Sequence, residues 1–320
     1  MTLSVEDWFV LYLIITALPA LGEGSKGDQS FVFFNCNRTC LRENCHMGSK
    51  FTDRSSLQLV KWNCQDECYY QCMWTTVEAF QKDGSPIPQF FGKWPFIRLF
   101  GIQEPASTCF SILNGLSHLM IFRYRSLVRS TTPLYYVWHG LALLAGHAWF
   151  WSTIFHSKDT PFTERMDYFC AFSVILYNVF ILCCRVFGTD KWWKPLCLGL
   201  LLLIVFVQHI FYMAWVKFDY GYNMKVNVVI GLINLLGWVA WCVCNRDKTY
   251  IWKCVVSVFS INLLLTLELL DFPPLWWIFD AHSLWHAGTA PLALLWYSFV
   301  IEDGLYLMSN TKDEEAKKTV

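Results

Sequence analysis

Long apolar runs, interrupted at short intervals by polar and basic clusters, set the plan of the chain. Seven of them approach or reach membrane-crossing length: 106–122, 133–155, 166–187, 195–216, 226–244, 251–270 and 276–300. A helix needs about 20 apolar residues to cross the hydrocarbon core, so the pattern predicts seven transmembrane helices. Basic residues fall in alternate connections. The first carries Arg123, Arg125 and Arg129, the third Arg185, Lys191 and Lys194, and the fifth Arg246 and Lys248. The second offsets Lys158 and Arg165 with Asp159 and Glu164, and the sixth, Asp271-Phe272-Pro273-Pro274, has no Lys or Arg. Because basic loops stay cytoplasmic, this asymmetry places the N-terminus in the lumen and, after seven spans, the C-terminus in the cytoplasm.

Ahead of the first span the pattern changes. Phe9 to Leu18 is apolar but too short to span, and Ala20-Leu21-Gly22 offers the small residues a signal peptidase reads. The expectation is a signal peptide over 1–22, although Glu6 and Asp7 stand where a basic start is usual, and an uncleaved anchor is the alternative. Six cysteines follow as two triplets, Cys36, Cys40, Cys45 and Cys64, Cys68, Cys72. An even number after a secretory signal reads as three disulfides, with the pairing left open; a zinc site is the rival, but its usual knuckle is C-x2-C. Asn37-Arg38-Thr39 is a glycosylation sequon, in keeping with the same compartment. The domain plan is then 1–22 signal peptide, 23–104 cysteine-rich lumenal segment with an interfacial connector, 105–301 the seven-transmembrane domain, and 302–320 a cytoplasmic tail. Lys317 and Lys318 in that tail match a dilysine address, which coat-protein retrieval machinery would read.

Composition agrees with this reading. Of 320 residues, 55% are hydrophobic and only 16% charged, well below the roughly 25% of a soluble domain. Mean hydropathy is +0.34. The formal net charge is zero, so no basic field argues for nucleic acid. The fold class expected is an all-α integral membrane protein: a seven-transmembrane helix bundle with a small disulfide-stapled lumenal N-terminal segment.

Polar residues inside the spans carry the chemistry. His282 and His286, four apart, share one helix face at the start of the seventh span. Ser152 and His156 stand four apart at the lumenal end of the second, and Asp167 near the lumenal start of the third. All five fall in one leaflet. Three imidazoles suit a zinc ion with an open fourth position, a carboxylate such as Asp167 suits the base that deprotonates water, and Ser152 suits an oxyanion donor. A Ser152–His156–Asp167 triad is the competing arrangement, but it leaves His282 and His286 without a role. Asp280 is either a partner of His282 or a helix cap. His118, Asn114, His139, His147 and Gln208-His209 suit helix-to-helix hydrogen bonds, Glu268 and Asp271 suit support of the site, and Cys183, Cys184, Cys242 and Cys244 suit inert burial or acylation.

In the pattern Ser152-x3-His156, Asp167, His282-x3-His286, the chain resembles the CREST superfamily of seven-span membrane hydrolases. Within that superfamily it is most similar to the branch that remodels GPI anchors, through the cysteine triplets, Phe91-Gly92-Lys93-Trp94-Pro95-Phe96 and Gln103-Glu104-Pro105-Ala106-Ser107. The resemblance implies zinc held by His156, His282 and His286, with Ser152 and Asp167 acting on the water it activates. It also implies a phospholipase A2-type reaction removing the sn-2 acyl chain of GPI anchors in the Golgi; the dilysine tail adds cycling through the endoplasmic reticulum. A ceramidase-like amidase, and a receptor or chaperone with structural zinc, are the other readings.

Overall fold

The computed structural model describes residues 25–45 and 59–318, with the backbone alone at 268–269 and 311–318. The signal segment lies outside the described residues, as do the side chains of Glu268, Lys317 and Lys318. The described chain is helical: α1 Phe31–Asn44, α2 Cys64–Lys82, α3 Pro105–Ser117, α4 Met120–Leu127, α5 Tyr135–Ser157, α6 Pro161–Phe187, α7 Trp193–Phe211, α8 Tyr220–Cys244, α9 Ile251–Leu270 and α10 Ala281–Lys318. A short π-helical turn, Tyr212–Val216, extends α7. Extended pairing among the described residues is limited to isolated bridges at three tight turns, Phe90 with Lys93, Leu99 with Ile102, and Leu275 with Phe279.

The helix starts are written locally. Ser30 and Asn63 cap α1 and α2, Asn63 in a reciprocal box with Asp66. Thr160 and Thr163 form the same device ahead of Pro161 in α6, and Pro105 opens α3 at a position where its missing N–H costs nothing. The cysteines of each triplet follow one helix face, at intervals of four and five residues along α1 to its C-cap Cys45 and of four along α2. The two faces meet antiparallel and zip as Cys36–Cys72, Cys40–Cys68 and Cys45–Cys64. The crowding of Cys45, Cys64 and Cys68, which has the spacing of a metal site, is thereby accounted for by bonded sulfurs. Phe33, Val77 and Phe90 close a small core around these bridges, which supplies the stability so short a segment lacks on its own.

Each of the seven apolar stretches falls on a helix or helix pair, but the helices differ in how well they suit lipid. By length and composition four qualify as spans: α6, α7 through Val216, α8, and Ala281–Asn310 of α10. Ile251–Leu267 in α9 is a shorter apolar helix. The first stretch is broken into α3 and α4 at His118–Leu119, and α5 carries His139, His147 and His156 among its aromatics. The polar and broken helices pack against neighbours on one side and keep apolar side chains outward on the other: α3 lies against both α5 and α10, α5 lies against α6, and Leu113, Leu116, Leu143 and Phe150 stay exposed. By contrast α7 buries only His209 and exposes Leu196, Leu200, Leu203, Ile204 and Val207. The last helix begins at Ala281, later than the apolar run at 276, because Leu275–Phe279 forms a turn with positive φ at Trp276 and Trp277. It then continues through Ile301 into the charged tail.

At the end of the bundle away from the stapled helices, Arg185 makes two 2.8 Å hydrogen bonds to Asp303, which also accepts one from Tyr250 at 2.9 Å. Asp303 is fully buried, so this network ties α6, α9 and α10 together among Trp138, Trp238, Trp241 and Phe299.

Candidate metal centre

The central helices bring their chemistry to one end. His156 occupies the last turn of α5, while His282 and His286 lie in the first two turns of α10. Asp280 caps α10: its carboxylate accepts from the Ser283 N–H at 2.8 Å, and the Ser283 hydroxyl accepts from the Asp280 N–H at 2.9 Å. Of the two readings open for Asp280, the cap is the one its hydrogen bonds make. From α3, the Asn114 amide donates to the His286 carbonyl at 2.8 Å and so pins the histidine helix in register.

The three rings converge through the same atom. His282 Nε2 lies 2.9 Å from His286 Nε2 and 3.3 Å from His156 Nε2. The three ligand atoms all fall within 4.8 Å of one another, with His156 and His286 buried. On the far side of its ring, His156 Nδ1 meets the Glu104 carboxylate at 2.7 Å. A carboxylate only accepts, so Nδ1 carries the hydrogen and the Nε2 lone pair faces the cluster. One proton on His282 Nε2 can satisfy one neighbour but not both, and a lone pair is left facing a lone pair. A cation shared by all three nitrogens removes the conflict, and three imidazoles are the ligand set of catalytic zinc. The residues therefore fit a metal. His286 differs from His156 in that its Nδ1 is buried with no hydrogen-bond partner.

Glu104, which has no role in the sequence reading, is as enclosed as the histidines. It is buried, its Oε1 accepts from Lys93 Nζ at 2.6 Å, and Lys93 also reaches Asp159 at 3.0 Å while lying 4.0 Å over the Phe155 ring. Burial alone would push the Glu104 carboxyl up, but the adjacent Lys93 ammonium and the His156 ring outweigh it and hold the carboxyl well below the usual range. Burial likewise works against the Lys93 ammonium, and Glu104 and Asp159 overcome it, raising its pKa. A charged residue placed directly before a proline-opened span was the available signal in the sequence.

Asp167, half-buried in the second turn of α6, lies beside Ser152 and within electrostatic reach of His156, His282 and Lys93. Ser152 is buried and also meets Ser111 Oγ at 3.1 Å. The structure thus assembles Ser152, His156, Asp167, His282 and His286 from three helices. Both nitrogens of His156 are engaged, by Glu104 and by His282, which leaves none to deprotonate Ser152 in a triad. The other polar residues of the spans stand apart and pair locally: His118 with Tyr297 at 3.0 Å, His139 with the Tyr135 carbonyl at 2.8 Å, His147 with Trp151 at 3.0 Å, and His209 with Asn223 at 3.1 Å. Asp271 accepts from Gln89 and Trp94 instead of entering the site.

Comparison with known proteins agrees with this arrangement. The Per1-like family model matches residues 55–304. A zebrafish protein (Danio rerio) named "GPI-specific phospholipase A2-like PGAP3" is 46% identical over 301 residues, 92% of this chain and 95% of its own. The human protein of that name is 42% identical over 308 residues, 94% and 96% of the two chains. A Drosophila melanogaster protein named "Post-GPI attachment to proteins factor 3" is 40% identical over 309 residues, 93% and 95%. No solved structure matches significantly. With most of its length matched, the chain belongs to the Per1-like family.

Proposed function

We propose that this protein is a zinc-dependent hydrolase of the lumenal leaflet, which removes the sn-2 acyl chain from GPI anchors during their lipid remodelling. The observation that carries the chemistry is the convergence of three imidazole Nε2 atoms at one end of the helix bundle, with Asp167 and Ser152 beside them. The names of relatives more than 40% identical support the substrate. The bundle crosses seven times, α3–α4 and α5 included. Its stapled N-terminal segment and its site face the lumen of the Golgi, its C-terminus faces the cytoplasm, and Lys317 and Lys318 return it through the endoplasmic reticulum.

His156, His282 and His286 would hold the ion. Bound there, zinc supplies Lewis acidity that brings the pKa of water toward neutrality and polarises an ester carbonyl. Asp167 accepts the proton of the attacking water and passes it to the departing sn-2 oxygen, which becomes the lyso-lipid hydroxyl. Ser152 turns its hydroxyl from Asp167 to the developing oxyanion, while Ser111 keeps that side chain in place. The helix ends that carry these groups lie at the depth of a glycerol ester, just beneath the headgroups. The test is mass spectrometry of GPI anchors from cells lacking the protein, complemented with wild type or with equal amounts of folded His282→Ala. Wild type should restore the lyso intermediate and His282→Ala should not; full restoration by His282→Ala would sink the proposal.

A further inference from the structure

The connector ahead of the first span touches both histidine-bearing helices. The Gln103 and Glu104 N–H groups donate to the Ser157 and His156 carbonyls, each at 3.0 Å, which binds the connector to the end of α5. The Ile97 N–H donates to the Trp277 carbonyl at 3.0 Å, and Gln89 and Trp94 both donate to Asp271, which binds it to the segment leading into α10. Trp277 in turn packs edge-on against Trp74 of α2 at 5.0 Å. At the middle of this strap stands the buried Glu104, with one oxygen on His156 Nδ1 and the other on Lys93. Lys93 is fixed by the hairpin it closes with Phe90 and by Asp159, which precedes α6.

We propose that Glu104 is the positioning residue of the metal centre. It holds His156 in the Nδ1–H tautomer and at one ring angle, and Lys93 holds Glu104, so metal affinity depends on the docked lumenal connector. The inference rests on the zinc reading above and adds to it a carboxylate–histidine pairing contributed by a segment outside the spans. Partners of this kind orient ligand rings and make them more basic, and their removal weakens metal binding by about 10–100-fold. Among the described residues no other carboxylate hydrogen-bonds the His156 ring, and His286 Nδ1 has no hydrogen-bond partner.

The test is zinc affinity of the purified full chain, by competition with a chromophoric chelator, together with the visible spectrum of the cobalt-loaded protein. Glu104→Ala should weaken zinc about 10–100-fold and alter the cobalt bands, which report ligand geometry. Glu104→Gln keeps the shape and an acceptor oxygen without the charge and should fall between. Lys93→Met should lower affinity less than Glu104→Ala, with all three ligands intact. A merely structural Glu104 would lower the yield of folded protein but leave affinity and cobalt spectrum per folded molecule unchanged. That outcome in Glu104→Gln and Lys93→Met would overturn the inference while leaving the zinc hydrolase reading standing. Absence of zinc binding by wild type would overturn both.

Discussion

At the scale of single residues, the proposal divides the site into groups that hold an ion and groups that move protons. Asp167 and Ser152 lie beside the three converging nitrogens but are not among them. Asp167→Asn should therefore lower deacylation by about 10²–10⁴-fold, the range for losing a general base, with zinc content unchanged. Ser152→Ala should cost about 10²–10³-fold if the hydroxyl serves as an oxyanion donor. Turnover of purified protein on acylated lipid beside metal analysis reads both; zinc lost from Asp167→Asn would assign that carboxylate to the metal instead. Ser152 with His156 and His282 with His286 were legible as pairs at helix ends, where a four-residue interval fixes a shared face, while Asp167 was legible as a carboxylate at the lumenal start of a span. Glu104 was not legible in this way. Its partner His156 is 52 positions away, and only the fold of the connector brings them together.

Among the elements, the site joins helices of both kinds. The first stretch breaks at His118–Leu119 and α5 carries three histidines, while α6 and α10, which supply Asp167, His282 and His286, are apolar enough to span. The hydrophobic pattern located these helices but could not show which of them face lipid, since that depends on packing. The start of α10 was read five residues early because the aromatics of the turn at 276–279 look like helix to a count of apolar residues. The cysteine count implied three disulfides with the pairing open, and the antiparallel packing of α1 on α2 selects one pairing. Elsewhere α6, α9 and α10 are joined through Arg185, Tyr250 and the fully buried Asp303. Removing one partner strands the other's charge, so Arg185→Met should destabilise the bundle by about 3–5 kcal/mol. Replacing both, as Arg185→Met with Asp303→Leu, should recover part of this. Thermal unfolding in detergent measures the difference; a double variant no better than the single one would contradict it.

For the whole molecule, the orientation expected from loop charge is open to a direct check. Asn37 lies in α1 within the stapled segment. With that segment in the lumen, the wild-type protein should lose apparent mass on treatment with a glycosidase that removes N-linked glycans, and Asn37→Gln should not. A wild-type protein without glycan, and accessible at its N-terminal segment from the cytoplasm, would reverse the topology. The lumenal segment, the connector and the bundle then act as one device: disulfides stabilise the helix pair, the connector joins the ends of α5 and α10, and the imidazoles converge beneath it. Substrate identity is the part that spacing and packing do not encode, and it comes from relatives. The most direct measurement is fatty acid release by purified protein from a defined diacyl GPI labelled at sn-2, before chelation, after chelation, and after zinc is restored. The account predicts release, its loss on chelation, and its return with zinc. Release that persists in the metal-free protein, or none from fully zinc-loaded wild type, would contradict it.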